Sequence, residues 1–238
     1  MKQLDLFAGI GGFSLAASWF GIKTTQMIEI DPYCQQILTK NFPGIPIHAD
    51  ITDYHPRLGE FDIITFGSPC QDFSECNPNG RGLEGKQSRL FFEAMRIVRT
   101  VRPRFVLFEN VRYILIRQFD RILWEFSQVG FDVEWSLVSA ASMGSPQLRE
   151  RLFLIAYTQS PGTGRFDIPQ TRPNFAPFSR DSWWGQNPHP EPAICPVAYG
   201  LSRRVVNQQL KALGNTVVPQ CAAIAYQRIM EIQNQCQF

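Results

Sequence analysis

The stretch Phe7-Ala8-Gly9-Ile10-Gly11-Gly12-Phe13 joins a short apolar run, Leu4 to Phe7, to a segment with helical spacing, Gly11 to Phe20. Glycines between a strand and a helix permit a tight turn and let a ligand approach the backbone closely. This order of strand, glycine-rich turn and helix is typical of nucleotide-binding α/β folds. The stretch therefore predicts an α/β protein whose ligand site begins at this turn.

Further strands and helices alternate along the chain. The predicted strands are Thr24 to Glu29, Pro46 to Ala49, Phe61 to Phe66, Phe105 to Glu109, Phe131 to Val138 and Leu152 to Tyr157. The predicted helices are Pro32 to about Asn41, Ser88 to Arg102, Tyr113 to Gln128, Leu201 to Leu213 and Gln220 to Gln233. Because the strands are nearly all apolar, we expect an open sheet with helices on both faces. Ligands of such sheets bind beyond the carboxyl ends of the strands.

The residue composition and the periodicity of the chain change after residue 157. Residues 158–200 are rich in proline, glycine, asparagine and aromatic residues and show no periodicity. We expect residues 1–157 to form the main domain, 158–200 a small irregular region, and 201–238 a segment that returns to the main domain.

Composition places the chain among ordinary soluble globular proteins. The 238 residues are 44% hydrophobic and 18% charged, with a formal net charge of +2. The apolar runs are too short for a membrane span, and the first residues do not resemble a secretory signal. The six cysteines include no Cys-x-x-Cys pair. We therefore expect no zinc site, no disulfide scaffold and a reducing, cytoplasmic environment.

Two acidic positions extend the predicted ligand site. Glu29 lies 20 residues after Gly9 at the end of the second strand, where a carboxylate reaches ribose hydroxyls. Asp50-Ile51 follows the third strand, where an acid can accept a hydrogen bond from an adenine amino group. Ser14 departs from the dinucleotide fingerprint, which has glycine or alanine there. S-adenosylmethionine, which has an adenosine but no phosphate, fits these positions better than a dinucleotide does.

The segment Gly67-Ser68-Pro69-Cys70-Gln71 follows the fourth strand. A cysteine on the turn that leaves a strand is presented to a cleft, and Pro69 fixes the backbone beside it. Cys70 is therefore a candidate nucleophile, with a buried structural thiol as the alternative. The next residues, Asp72 to Gln87, are rich in glycine, asparagine and serine, which is typical of a loop that closes over a site.

Charged residues follow two later strands of the chain. Glu109 comes after Val106-Leu107-Phe108, and we expect burial among apolar neighbours to raise its pKa. A helix N-cap is the alternative role for Glu109. Arg149 and Arg151 alternate along one predicted strand, so both should point to one face, either toward a site or toward solvent.

These motifs together resemble those of the cytosine-C5 DNA methyltransferases. The matching segments occur in the family's order and are Leu6 to Gly12, Glu29-Ile30-Asp31, Asp50-Ile51, Ser68-Pro69-Cys70-Gln71, Glu109-Asn110-Val111, Gln147-Leu148-Arg149-Glu150-Arg151 and Gly214-Asn215-Thr216-Val217-Val218-Pro219. The resemblance covers nearly the whole chain except about residues 158–200. It implies a Rossmann-like methyltransferase sheet, with residues 1–157 as the catalytic and cofactor-binding domain.

The resemblance also implies a mechanism in which a cytosine is flipped out of the duplex. The Cys70 thiolate, within the motif that includes Pro69 and Gln71, attacks C6 of the base. Glu109 contacts N3 and the amino group, while Arg151, assisted by Arg149, holds the carbonyl oxygen. A water network near Gln71 and Ser74 removes the C5 proton. The implied cofactor is S-adenosylmethionine, converted to S-adenosylhomocysteine without a metal, and the implied cofactor-binding residues are Phe7, Gly9, Ile10, Gly11, Gly12, Glu29, Ile30, Asp50, Ile51, Pro69, Leu90, Asn215 and Thr216.

In this family the region before the last motif reads the DNA sequence. Here it is short, as in phage-like and stand-alone bacterial members. Candidate reading residues are Arg165, Arg172, Asn174, Arg180, Gln186 and Asn187, and Trp183-Trp184 is a candidate for packing or wedging. The alternative for this set is a small subdomain core with phosphate contacts. The implied partner is double-stranded DNA, with a monomeric enzyme, no membrane, and a cognate restriction endonuclease left open as a second partner.

Three alternatives stay open from the sequence. A tRNA cytosine-C5 methyltransferase would share the fold, but its typical Cys-Phe-Thr tripeptide is absent from the chain. A nicotinamide-dependent oxidoreductase conflicts with Ser14 and with the set of Cys70, Glu109 and the two arginines. A catalytically silent DNA-binding relative is the third alternative.

Overall fold

The computed structural model of the chain describes residues 1–68, 89–145, 147–158 and 203–235. The strands of this part are β1 (Lys2–Leu6), β2 (Lys23–Ile28), β3 (Ile47–His48), β4 (Ile63–Phe66), β5 (Phe105–Val111), β6 (Asp132–Ser139) and β7 (Glu150–Tyr157). The helices are α1 (Gly12–Ser18), α2 (Pro32–Asn41), α3 (Arg89–Val101), α4 (Ile114–Arg117), α5 (Phe119–Ser127), α6 (Arg203–Asn215) and α7 (Pro219–Gln235). Short 3₁₀ turns occupy Ile51–Asp53 and Ala140–Met143.

The described strands form one sheet in the order β3-β2-β1-β4-β5-β7-β6. Strands β1 to β5 pair in parallel, whereas β7 is antiparallel to both β5 and β6. This mixed sheet with its flanking helices confirms the predicted α/β class. Since β7 runs in reverse, its first residues lie at the same edge as the carboxyl ends of the parallel strands.

The sheet is covered on both faces. On one face, Leu4, Leu6 and Phe66 pack with buried residues of α3 and α5. On the other face, Ile63 and Leu107 pack with α1 and α7. Successive strand residues point to opposite faces, so nearly continuous apolar strands supply both cores.

A buried polar network lies on the α1 and α7 face. Asp5 is fully buried, and its two carboxylate oxygens accept hydrogen bonds from the hydroxyls of Ser14 (2.6 Å) and Thr65 (2.9 Å). The hydroxyl of Tyr226 in α7 donates to the side-chain oxygen of Gln3 at 2.6 Å. Ser14, which departs from the dinucleotide fingerprint, is therefore a partner of a buried carboxyl group under the glycine turn.

Helix α2 begins as its sequence predicts. The side chain of Asp31 accepts a hydrogen bond from the backbone N–H of Tyr33, and Pro32 occupies the first turn. A capping carboxylate and a proline at the first position both suit a helix start, because the first N–H groups have no partner within the helix.

Three predicted boundaries are wrong in detail. The helix predicted from Tyr113 to Gln128 is two helices, because Gln118 adopts φ −149° and ψ 14° between them. Strand β5 does not end at Glu109, since antiparallel pairing with β7 carries it to Val111. Arg149 precedes β7 instead of lying within it.

Residues 159–202, which include the predicted reading residues between 165 and 187, lie outside the described residues. The division of the chain at 157 and 200 therefore stays a prediction. In the part of the chain that the structure describes, no helix is long and apolar enough to cross a membrane.

Candidate active site

A cavity of about 360 Å³ opens at the carboxyl edge of the parallel strands. This volume lies within the roughly 300–1,000 Å³ of typical small-molecule pockets. The sequence-predicted residues that line the cavity are Phe7, Gly9, Glu29, Ile30, Asp50, Ile51, Leu90, Glu109, Arg149, Arg151 and Asn215. Residues from both ends of the chain and from its middle therefore meet at one site.

The backbone donors of the glycine turn are already engaged within the protein. The N–H of Gly9 donates to the Glu29 carboxylate at 2.7 Å, and that of Gly11 donates to the carbonyl of Ala8 at 2.8 Å. The N–H of Ile10 donates to the hydroxyl of Thr216 at 3.4 Å. A pyrophosphate at this turn would need these same N–H groups. The turn is thus built for a ligand without a phosphate.

Four predicted cofactor residues support the cavity wall and do not form it. Ile10, Gly11, Gly12 and Thr216 are not among the residues that line the cavity. A Cβ atom added to Gly12 would lie 2.5 Å from the carbonyl oxygen of Val217. Ile10, Gly12 and Thr216 therefore make the close contact between the turn and the segment that precedes α7, whereas Gly11 lies against Leu38 and Phe42.

Glu29 follows β2 and faces the cavity from below the turn. Its oxygens accept the N–H groups of Gly9 and, at 2.8 Å, Asp31. Burial raises the pKa of Glu29, and these two backbone donors oppose the shift. Each carboxylate oxygen can accept a second hydrogen bond. The group is therefore held in one orientation with acceptor capacity left for a hydroxyl pair.

Asp50 lies two residues after β3 and caps the first 3₁₀ turn. One of its oxygens accepts hydrogen bonds from the N–H and the hydroxyl of Thr52, both at 2.9 Å. Arg96 of α3 fixes the same turn by donating to the carbonyls of Ile51 (2.8 Å) and Tyr54 (3.2 Å). Arg96 was not among the predicted site residues, because no local sequence pattern relates it to residues more than 40 positions earlier.

Apolar side chains supply the flat surfaces of the cavity. Phe7 has φ +54°, a left-handed conformation that is uncommon for a residue with a side chain. Ile30 is 68% exposed at the cavity, although its side chain is large and apolar. A strained aromatic residue and an exposed aliphatic one beside two carboxylates suit a planar, hydrogen-bonding ligand.

Glu109 and Arg151 form an ion pair on the far side of the cavity. In the β5–β7 ladder Glu109 pairs with Phe153 and Val111 with Arg151, so the two charged residues are diagonal neighbours on one face. Their side chains approach to 3.2 Å between Oε1 and Nε. Burial raises the pKa of Glu109, while the guanidinium groups of Arg151 and Arg149 oppose this shift. The raised pKa agrees with the sequence expectation.

The Glu109 side chain leaves no room for a side chain at Gly67. A Cβ atom there would lie 2.8 Å from the Oε2 atom of Glu109. The amide of Asn110 donates to the backbone and side-chain oxygens of Ser68, both at 3.3 Å. Strand β5 thus holds the start of the segment that continues to Pro69, Cys70 and Gln71, which lie outside the described residues.

Arg149 and Arg151 have different partners. Whereas Arg151 pairs with Glu109, the Nη2 atom of Arg149 donates to the carbonyls of Gly214 and Thr216, each at 2.9 Å. Lys211 of α6 makes a second link, a 3.1 Å ion pair with Asp31. Lys211, which the sequence places in a late cluster of basic residues that suits a phosphate backbone, also lines the cavity.

Comparisons with known proteins agree with this geometry. The family model for C-5 cytosine-specific DNA methylases matches residues 1–181. The type II methyltransferase M.DsaV of Dactylococcopsis salina is 32% identical over 181 residues, which cover 71% of this chain and 50% of that protein. The type II methyltransferase M.HpaII of Haemophilus parainfluenzae is 33% identical over 185 residues, 74% of this chain and 51% of that protein.

Solved structures share the fold. The S. pombe Dnmt2 methyltransferase superposes with a TM-score of 0.57 at 21% identity, over 70% of this chain and 54% of that one. The chain spans about half the length of the curated relatives it matches.

Proposed function

The chain belongs to the C-5 cytosine-specific DNA methylase family, and we propose on that basis that it methylates C5 of a cytosine in double-stranded DNA in the cytoplasm. The observation that carries the proposal is the Glu109–Arg151 pair, which faces the cavity beside the strand that leads to Cys70. A buried carboxyl next to a guanidinium matches the N3, amino and carbonyl edge of a cytosine.

S-adenosylmethionine is the cofactor that fits the cavity. Glu29 offers acceptors for two ribose hydroxyls, and Asp50 has an oxygen available for an amino group. Phe7 and Ile30 offer apolar surface for the adenine ring. The engaged donors of the glycine turn disfavour a pyrophosphate and hence a nicotinamide dinucleotide. When bound, S-adenosylmethionine supplies an electrophilic methyl group.

The proposed chemistry divides between the chain's own residues. The Cys70 thiolate adds to C6 of the flipped cytosine, which makes C5 electron-rich. Glu109 binds the N3 and amino edge and stabilises the adduct, since its pKa is raised by burial. Arg151 binds the carbonyl oxygen and orients Glu109. After C5 has gained the methyl group, loss of the C5 proton to water restores the C5–C6 double bond and releases the Cys70 thiolate.

The test of this proposal is transfer of tritium from labelled S-adenosylmethionine to mixed-sequence duplex DNA, with tRNA in parallel. We expect label in DNA from the unsubstituted chain and none from Cys70→Ser, because a serine hydroxyl is a far weaker nucleophile than a thiolate at neutral pH. Cys221→Ser is the matched control, since Cys221 is a buried thiol in α7 that does not line the cavity and whose pKa burial raises to about 12.

Other outcomes would change the assignment. Label in tRNA alone would indicate an RNA methyltransferase, and binding of S-adenosylmethionine without transfer to either nucleic acid would indicate a silent relative. Full activity of Cys70→Ser would remove Cys70 from the mechanism. Sequencing of the methylated product identifies the recognised site, and its palindromic or split form constrains any cognate restriction endonuclease.

A further inference from the structure

The structure separates the two arginines of the Gln-x-Arg-x-Arg segment, and we propose that Arg149 is a positioning residue for the cofactor pocket. Arg149 acts through the segment between α6 and α7 and does not bind the target base. The inference rests on the proposed function, because it takes S-adenosylmethionine as the ligand of the cavity.

Arg149 holds the carboxyl-terminal end of helix α6. The last carbonyls of a helix lack partners within it, and a cation beside them is favourable because the helix end carries partial negative charge. Gly214 and Thr216 lie at and just beyond the end of α6. Both of their carbonyls accept hydrogen bonds from the Nη2 atom of Arg149. The guanidinium therefore contacts the end of α6 from the segment that precedes β7.

The same end of α6 lies at the cavity. Lys211, Ala212, Gly214 and Asn215 all line the cavity. The next residues pack directly on the glycine turn, with the Thr216 hydroxyl on the N–H of Ile10 and the carbonyl of Val217 against Gly12. The segment that Arg149 holds is thus one wall of the pocket. A shift of this wall changes the shape of the cofactor site without touching Glu109.

Two other polar contacts hold this wall, and both are weaker than the hydrogen bonds of Arg149. The Lys211–Asp31 ion pair involves a lysine side chain that is 64% exposed, so water and salt screen it. The hydrogen bond between Ile10 and Thr216 is long at 3.4 Å. Arg149 is half-buried and donates two charge-assisted bonds of 2.9 Å. It is accordingly the strongest of these three polar ties.

The experiment compares four variants with the unsubstituted chain by calorimetric titration of S-adenosylmethionine. We expect Arg149→Ala to raise the Kd at least about tenfold, since two charge-assisted bonds are lost. Arg149→Lys should recover part of the affinity, because an ammonium can reach one carbonyl but lacks the planar fork. Arg151→Ala should change the Kd less than about threefold, because Arg151 pairs with Glu109. The exposed Arg57→Ala is the control for loss of a cation.

Two further readouts separate positioning from catalysis. Hydrogen exchange of peptides that cover residues 214–218 should be faster in Arg149→Ala than in Arg151→Ala. Transfer to DNA at saturating cofactor should be higher for Arg149→Lys than for Arg149→Ala, and it should fall at least about a hundredfold for Arg151→Ala. Circular dichroism establishes that each variant is folded, and Arg149→Lys keeps the test open should Arg149→Ala fail to fold.

Two results would overturn the inference in different ways. If the unsubstituted chain binds S-adenosylmethionine and Arg149→Ala binds it equally well, Arg149 does not shape the pocket, and the proposed function stands. If the unsubstituted chain does not bind S-adenosylmethionine, both proposals are overturned.

Discussion

Glu109 is a carboxyl group whose surroundings act in opposite directions. Burial favours its protonated form, whereas Arg151 and Arg149 favour the charged form. The ion pair with Arg151 fixes the orientation of the group. The carboxyl is therefore able to hold a proton more readily than an exposed glutamate while keeping one geometry, as its proposed contact with a ring nitrogen requires.

Gly67 is the residue that makes space for this carboxyl. We expect Gly67→Ala to displace the Glu109 side chain, because the new methyl group would lie 2.8 Å from Oε2. Methyl transfer to DNA should fall by about tenfold or more, while the Kd for S-adenosylmethionine changes little. The measurements are single-turnover transfer and calorimetric titration. If Gly67→Ala were as active as the unsubstituted chain, the position of the Glu109 side chain would not limit methyl transfer.

Asp5 makes stability depend on pH. Burial raises its pKa from 3.8 to about 6, partly opposed by the hydroxyls of Ser14 and Thr65. Because the folded state holds this proton more tightly than the unfolded state, the contribution of Asp5 is complete below about pH 4 and is lost as the pH rises through about 6. The charged carboxylate thus remains a cost at neutral pH.

The substitution Asp5→Asn isolates this effect. Its melting temperature relative to that of the unsubstituted chain should be lowest near pH 4 and should rise between about pH 4 and pH 7. The difference between the two proteins removes the other titrating groups from the comparison. Thermal melts followed by circular dichroism across this range provide the check, and a difference that is independent of pH would contradict the raised pKa.

At the scale of elements, the direction of β7 decides where the arginines lie. A parallel strand in that place would put its first residues at the opposite edge of the sheet, away from the cavity. The antiparallel ladder instead places Arg151 diagonally from Glu109 and lets Arg149 reach the end of α6. One reversed strand therefore brings the cation to the carboxyl group.

Helix α7 is fastened to the sheet by a second ion pair, remote from the cavity. Glu134 of β6 is 1% exposed and accepts hydrogen bonds from Arg228 (2.8 and 3.0 Å) and from the hydroxyl of Tyr157 (2.8 Å). Removal of one member of a buried pair leaves a desolvated charge. This contact orients α7 independently of the glycine turn.

We expect Arg228→Met to lower the free energy of unfolding by about 3 kcal/mol. The double variant Arg228→Met with Glu134→Gln should recover part of the loss, since a neutral amide is less costly to bury than a carboxylate that has lost the Arg228 cation. Urea unfolding curves of the single and double variants test both expectations. A loss under about 1 kcal/mol for the single variant would indicate that the pair is worth no more than a surface pair.

Local patterns in the sequence predicted much of the fold, and non-local contacts account for most of what they missed. The glycine turn, the Asp31 cap and the acids after β2 and β3 are recognisable from their neighbours along the chain. The break at Gln118 and the reversal of β7 depend on packing and pairing with distant residues. Arg96 was missed for the same reason, because its partners are carbonyls of another element.

The same distinction applies to the candidate site. Most predicted residues line one cavity, since motifs at strand ends meet at one edge of a sheet. Their individual partners did not follow from the motifs. The sequence motif assigns Arg149 and Arg151 to the same base carbonyl, with Arg149 assisting, but they contact the α6 carbonyls and Glu109 respectively. Side-chain partners depend on distances of a few ångströms that a linear pattern does not contain.

At the scale of the whole molecule, the two cores share one sheet but draw on different parts of the chain. The core that includes α3 and α5 uses residues between 4 and 156. The other core pairs α1 with α7, so it needs residues up to Ile232. The face that carries the glycine turn is consequently complete only when α7 is in place.

A fragment of residues 1–202 tests this dependence. We expect it to bind no S-adenosylmethionine and to expose the apolar face of α1, including Phe13 and Ala16, which are buried in the complete chain. Calorimetric titration and binding of a hydrophobic dye measure the two effects. Co-expression with residues 203–238 should restore binding in part, and cofactor binding by the shorter fragment alone would contradict the dependence.

The hydrogen bond between Ile10 and Thr216 joins residues 206 positions apart. At a translation rate of roughly 5–20 residues per second, the glycine turn is synthesised about 10–40 s before Thr216. During that interval the nascent polypeptide carries half of a pocket. A nascent polypeptide that has not yet reached Thr216 lacks this contact, and we expect it to bind no S-adenosylmethionine.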